Sequence, residues 1–169
     1  LPLLFGGDQE HGLRGGTENV PGIVGFGQAA ELRRARLNTI ISDLTQLRDY
    51  FESRLQATIS DTRINGGGAD RVCNTSNILF SRVDGQALVA RLDQDGIRCS
   101  QSSACTNQRP EPSYVLQAMG LSETDAYSSV RFGFSVENTE EEIEFIVERL
   151  AQHCEQLRGF QRRLVGATQ

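Results

Sequence analysis

Three short segments of this 169-residue chain carry residue types whose spacing could do chemistry. Cys105 lies in Ser100-Gln101-Ser102-Ser103-Ala104-Cys105-Thr106-Asn107-Gln108-Arg109, among small and polar neighbours with no apolar period. A thiol on such a strand-to-helix loop, with Arg109 four residues on and a helix start following, meets the conditions for a stabilised thiolate nucleophile. The plainer reading of any cysteine is a small buried hydrophobe. That reading suits Cys154, on an apolar helical stripe, and Cys73 and Cys99 beside strands, better than it suits Cys105.

Arg131 lies in Ser128-Ser129-Val130-Arg131-Phe132-Gly133-Phe134-Ser135. Strand alternation sends Val130, Phe132 and Phe134 to one face and Ser129, Arg131, Gly133 and Ser135 to the other. One long cation among very small residues fits a cleft where the guanidinium forks onto a ligand carboxylate. It equally fits an arginine lying over a solvated sheet face or paired with a helix carboxylate. The third segment, Gly6 to Thr17, is rich in glycine and precedes a helix. Its backbone N–H groups and the Thr17 hydroxyl can be aimed at an anion, or the glycines can simply make tight turns. His11 and His153 have no partner in sequence, and His153 reads as solvated. Glu140–Glu142 reads as helix first-turn charge, not as a metal site.

Composition removes several chemistries. All 17 basic residues are arginine, so nothing that needs a lysine amine can be done by this chain alone. A formal charge of -5 argues against a nucleic-acid or anionic-membrane surface. No apolar run reaches the roughly 18 residues of a membrane helix. The four cysteines show no CxxC spacing and no paired histidine, which points to reduced thiols in a cytoplasmic protein. The first residue is Leu1 and the sole methionine is Met119, so the chain reads as part of a longer polypeptide.

The elements that must position these residues alternate. A long helix is expected from about Pro21 to Ala57, with Asn19 as N-cap and Leu37, Ile40, Ile41, Leu44, Leu47, Phe51 and Leu55 on its apolar stripe. Gly25, Gly27, Ala29 and Ala30 suggest close packing of its start. A short strand at Arg63-Ile64 runs to the Gly66-Gly67-Gly68 turn, and Ser76–Ser81 reads as a buried strand. Asp84 caps a helix that ends at Gly96, and Ile97-Arg98-Cys99 reads as a short strand. A helix is expected around Pro112–Met119, a strand at Ser128–Ser135, and a last helix opened by the capping box Thr139–Glu142. This order predicts an α/β architecture, a mixed or antiparallel sheet covered by helices with a long N-terminal helix.

The chain resembles the C-terminal part of a cysteine desulfurase, a pyridoxal-phosphate enzyme of the class V aminotransferase superfamily. Gly6-Gly7-Asp8-Gln9-Glu10-His11-Gly12-Leu13-Arg14-Gly15-Gly16-Thr17 is similar to the family's GGGQE-x-G-x-R-x-GT segment, with Asp8 in place of the third glycine. Ser103-Ala104-Cys105-Thr106 with Glu111-Pro112-Ser113-Tyr114-Val115-Leu116 is similar to its GSACTS…EPSYVL signature, with Ser102 and Asn107 as departures. Ser129-Val130-Arg131-Phe132 and Asn138-Thr139-Glu140-Glu141 are similar to its SIRFS…NTEEE ending.

The resemblance implies the small α+β domain of a fold-type I pyridoxal-phosphate enzyme at residues 19–169, preceded by a cofactor and dimer loop at 1–18. It implies that Cys105 takes sulfur from L-cysteine as a persulfide, leaving alanine. Arg131 would hold the substrate carboxylate, and Thr17 would reach across a homodimer to the cofactor phosphate of the other subunit. A sulfur-acceptor or scaffold protein, as in iron–sulfur cluster assembly, would be the partner. The Schiff-base lysine would lie before Leu1, so the isolated chain is expected to be inactive. Alternatives are a non-enzymatic persulfide carrier or docking module of the same fold, and another class V enzyme such as a selenocysteine lyase.

Overall fold

Helix ends fall where side chains can satisfy the first free N–H groups. In a computed structural model, which describes residues 1–101 and 112–166 and side chains in those ranges up to Phe160, helix α1 spans Val20–Thr58. Asn19 opens it, its Oδ1 accepting from the Gly22 N–H at 3.1 Å. Contacts divide the chain into two units, Leu1–Thr39 and Ile40–Gln169, the division falling inside α1.

In the first unit, Leu4 and Arg14 form a parallel bridge that folds the Gly-rich segment on itself. A Cβ at Gly15 would lie 2.7 Å from the Gly6 backbone, so this close approach requires glycine. Glu10 and His11 adopt left-handed backbone at φ 49° and 56°. The start of α1 is open: Val20, Ile23 and Phe26 are all more than half exposed. Nothing described lies within 4 Å of a Cβ at Gly25 or Gly27, so the close packing expected there is not seen.

The second unit holds the core. Strands β1 (Thr62–Ile64), β2 (Thr75–Phe80) and β3 (Ser129–Gly133) form an antiparallel sheet in the order β1-β2-β3. Of the two sheet types expected, the antiparallel one is found. Helices α2 (Gly85–Gln94) and α5 (Glu140–Gly166) pack on each other, and α2 contacts β3. Phe51 of α1 is fully buried with its ring 5.0 Å from Phe132 and 5.4 Å from Phe134. That cluster is the expected apolar face of β3 meeting the expected stripe of α1. Two short helices, α3 (Tyr114–Ala118) and α4 (Glu123–Tyr127), pack together, and α4 contacts β2.

Caps behave as local sequence dictates. Asp84 Oδ1 accepts from Gln86 and Ala87 N–H, both at 2.9 Å. Thr139 and Glu142 exchange side chain to backbone bonds at 3.3 and 3.2 Å, the reciprocal capping box. Gly96 ends α2 and Gly120 ends α3, with φ of 80° and 89°.

Several expectations need correction. Ile97-Arg98-Cys99 is not a strand. Ile97 turns back, its N–H donating to the Leu92 carbonyl, and among the described residues of this stretch pairing with β3 is the one bridge at Ser100. Leu37 and Ile41 are 46% and 44% exposed. The buried line runs instead through Ile40, Leu44, Arg48, Phe51, Glu52 and Leu55, so two charges lie inside it. His153 is not solvated: its Nε2 lies 2.7 Å from Asp95 Oδ2, tying α5 to the end of α2. Helix α4 was not foreseen, although Ser122 caps it by accepting from the Asp125 N–H. Among the described residues no helix is long and apolar enough to cross a membrane.

Candidate functional site

The period-two alternation of β3 puts Arg131 on the sheet face away from Phe51, with Val130 and Phe132 buried beneath it. Arg131 is held from behind by its own backbone. Its N–H donates to the Ser100 carbonyl at 2.7 Å and its carbonyl accepts from the Ser100 N–H at 3.0 Å. On the other side its Cα partner in the ladder is Asn77 of β2. These neighbours, with Asn65, Gln101 and Leu116, line a cleft of about 260 Å³. Among the described residues no carboxylate or hydrogen-bond acceptor engages the exposed Arg131 guanidinium. A pairing with a helix carboxylate is therefore not seen among the described residues, and Arg131 stands as an exposed cation on the cleft wall.

The cleft floor is a polar relay. The Ser129 hydroxyl donates to the Asp125 carbonyl at 2.7 Å and accepts from Asn65 Nδ2 at 3.0 Å. Asn65 Nδ2 also donates to Asn77 Oδ1 at 2.6 Å. Gln101 Nε2 donates to the Tyr127 carbonyl at 2.7 Å, fixing one wall. Gly85 permits that arrangement, since a Cβ there would lie 2.3 Å from the Tyr127 oxygen. Sequence reasoning missed Asn65, Asn77 and Gln101. The one local signal was Asn77 at the junction of the polar first half of β2, Thr75-Ser76-Asn77, with its apolar second half, Ile78-Leu79-Phe80.

Cys105 lies outside the described residues. Its flanks do not: Gln101 and Ser113 both line the Arg131 cleft. Gln101 stands four positions before Cys105 in the sequence. Two of the other thiols are held protonated by their environment. Burial pushes Cys99 up to about 11, with the Asp93 charge adding to it, and burial pushes Cys154 up to about 12. Cys73 is half-buried against the core.

Thr17 belongs to the first unit and Arg131 to the second. Thr17 is exposed, and its carbonyl accepts from Arg14 Nη1 at 3.0 Å. Much of the Gly-rich backbone is already committed: Gly15 N–H donates to the Leu4 carbonyl and Gly16 N–H to Gln9 Oε1. Among the described residues no hydrogen bond engages the Thr17 hydroxyl. Among the described residues no cluster of three His, Cys, Asp or Glu side chains could hold a metal ion.

Comparison with known proteins gives a consistent result. Residues 6–146 match the family model described as aminotransferase class-V. The chain is 46% identical over 158 residues to the cysteine desulfurase of Trichormus azollae, covering 94% of this chain and 40% of that protein. It is 42% identical over 158 residues to a cysteine desulfurase of Klebsiella pneumoniae, again over 94% and 40%. The crystal structure of a NifS-like protein from Rickettsia africae superposes with a TM-score of 0.79 at 31% identity, covering 92% of this chain and 40% of that one. The chain thus spans about two-fifths of the length of the curated relatives it matches.

Proposed function

The chain belongs to the aminotransferase class-V family, and from that premise we propose that it forms part of a pyridoxal-phosphate-dependent cysteine desulfurase. The observation that carries this reading is the unengaged Arg131 guanidinium on a cleft that Gln101 and Ser113, beside the Cys105 segment, also line. The relatives named cysteine desulfurase support this choice of reaction within the family.

Arg131 binds the carboxylate of L-cysteine through its two-pronged fork, which sets the orientation of the amino acid in the cleft. The Cys105 thiolate attacks the substrate sulfur and keeps it as a persulfide. The substrate carbon retains the bonding electron pair, takes a proton and leaves as L-alanine. A persulfide on a tethered segment is then passed to an acceptor or scaffold protein, as iron–sulfur cluster assembly requires. With the cofactor bound, the Thr17 hydroxyl would donate to its phosphate, held by the other subunit of a cytoplasmic homodimer.

Pyridoxal phosphate supplies the electron sink that makes the carbon–sulfur bond breakable. It is anchored through an amine, and this chain has no lysine. The residues present therefore do not by themselves complete a cofactor site, and the 169 residues alone are inactive in this reading.

Two experiments test it. In a desulfurase-length polypeptide carrying these residues, Cys105→Ser is expected to abolish cysteine-dependent alanine formation, because no other group takes the sulfur. Turnover that survives this change would sink the reading. The 169-residue chain mixed with pyridoxal phosphate and cysteine is expected to give no alanine. Steady release would show that the lysine-free chain suffices.

A further inference from the structure

The ladder between β2 and β3 places Asn77 and Arg131 as Cα partners, so their side chains leave the sheet on the same face. Both line the cleft. We propose that Asn77 is a second carboxylate donor beside Arg131, and that Asn65 is the positioning residue that turns the Asn77 amide nitrogen toward the ligand. The proposal rests on the carboxylate-binding role of Arg131 and extends it to substrate recognition.

The orientation of the Asn77 amide follows from a chain of donors and acceptors. The Asp125 carbonyl can only accept, so at 2.7 Å the single proton of the Ser129 hydroxyl must point to it. Ser129 must then accept from Asn65, at 3.0 Å, which fixes Asn65 with its NH2 toward Ser129. The second proton of that NH2 goes to Asn77 at 2.6 Å, so Asn77 presents its oxygen to Asn65. Asn65 is 7% exposed and its backbone N–H also donates to the Asn77 carbonyl at 2.8 Å, which leaves this pair little freedom. The Asn77 NH2 is therefore the end directed away from Asn65, and no described residue accepts from it. A carboxylate has two oxygens and about four lone-pair sites. The Arg131 fork takes two of them and a neutral amide donor can take a third without repelling the cation. Were the amide reversed, its oxygen would face the carboxylate and oppose binding. Asn65 thus decides the sign of the interaction.

The test is a titration of the 15N-labelled 169-residue chain with L-alanine and, as a carboxylate-free control, L-alaninamide. L-alanine is expected to shift the Asn77 side-chain amide and the Arg131 Nε resonances, and the amide is not. Asn77→Asp is expected to weaken L-alanine binding by more than about tenfold, since it removes one hydrogen bond to a charged group and also sets a competing carboxylate beside Arg131. Asn65→Asp, whose carboxylate would draw the Asn77 NH2 to itself, is expected to weaken it similarly and to move the Asn77 amide signal even without ligand. If that variant does not fold, Ser129→Ala, which removes the acceptor that orients Asn65, is expected to move the same signal. Loss of binding in Arg131→Gln with full binding in Asn77→Asp would overturn the proposal and leave the Arg131 role standing. Weakening in Asn65→Asp or Ser129→Ala with an unmoved Asn77 signal would overturn the positioning role. If the unsubstituted chain does not distinguish L-alanine from its amide, the Arg131 role falls and the proposal with it.

Discussion

Arg54 of α1 and Glu144 of α5 meet edge to edge, with Nε 2.6 Å from Oε1 and Nη2 2.8 Å from Oε2. The Tyr50 hydroxyl donates to the same Oε1 at 2.6 Å. The Arg54 hydrogen bonds, and then that of Tyr50, hold the Glu144 carboxyl down at about 2 against an ordinary 4.5. The folded value lies below the unfolded one, so the stabilisation is present above pH 4.5 and is lost as pH falls toward 2. Glu144→Gln is expected to lower Tm at pH 7, and the gap to the unsubstituted chain should close between those two values. Both side chains are about two-fifths exposed, so added salt should shrink the gap. Thermal melts across pH and ionic strength check both trends.

A buried charge should cost far more to disturb. Glu52 is 6% exposed, takes a bidentate pair from Arg71 at 2.7 and 2.9 Å, and accepts from the buried Ser76 hydroxyl at 2.6 Å. It therefore ties α1 to β2 and to the loop between β1 and β2. Glu52→Ala leaves Arg71 and Ser76 without their acceptor, and a destabilisation of about 3–5 kcal/mol is expected. Urea unfolding gives the number, and a loss under about 1 kcal/mol would mean that water replaces the carboxylate easily.

Gly85 is a steric probe of the cleft wall. Gly85→Ala places a methyl carbon against the Tyr127 carbonyl oxygen and within 3.1 Å of Gln101 Cγ. Because a backbone atom must move, a loss of about 1–3 kcal/mol is expected. The Gln101 to Tyr127 hydrogen bond should break with it, which the Gln101 side-chain amide resonance reports.

Thiol reactivity should separate by environment. With Cys99 near 11 and Cys154 near 12, only about one in a thousand Cys99 side chains is thiolate at pH 8, and fewer at Cys154. Brief iodoacetamide treatment of the native chain should therefore modify Cys105 before either of them, as read by peptide mass spectrometry. Equal labelling of Cys99 and Cys105 would remove the distinction on which the sulfur-carrying role depends.

What the sequence revealed was what it encodes within a few residues. Asn19, Asp84 and the Thr139–Glu142 box cap their helices because a cap and its N–H targets lie two or three positions apart. The alternation around Arg131 was equally local and correctly placed Phe132 and Phe134 in the core. Residues 97–99 misled because a short apolar-polar alternation promises a strand, whereas the chain is turned aside by left-handed Gly96 and the burial of Ile97. His153, Glu52 and Asn65 were opaque for another reason. Their partners, Asp95, Arg71 and Ser129, lie 58, 19 and 64 residues away, and only the folded sheet and helices bring them together.

The two hydrogen bonds between Ser100 and Arg131 join the backbone at the mouth of the Cys105 segment to the residue whose side chain faces the cleft. Among the described residues this is the one bridge between the two stretches. The backbone of Arg131 thus anchors Ser100, five positions before Cys105 in the sequence, while Val130 and Phe132 on either side of it are held in the core.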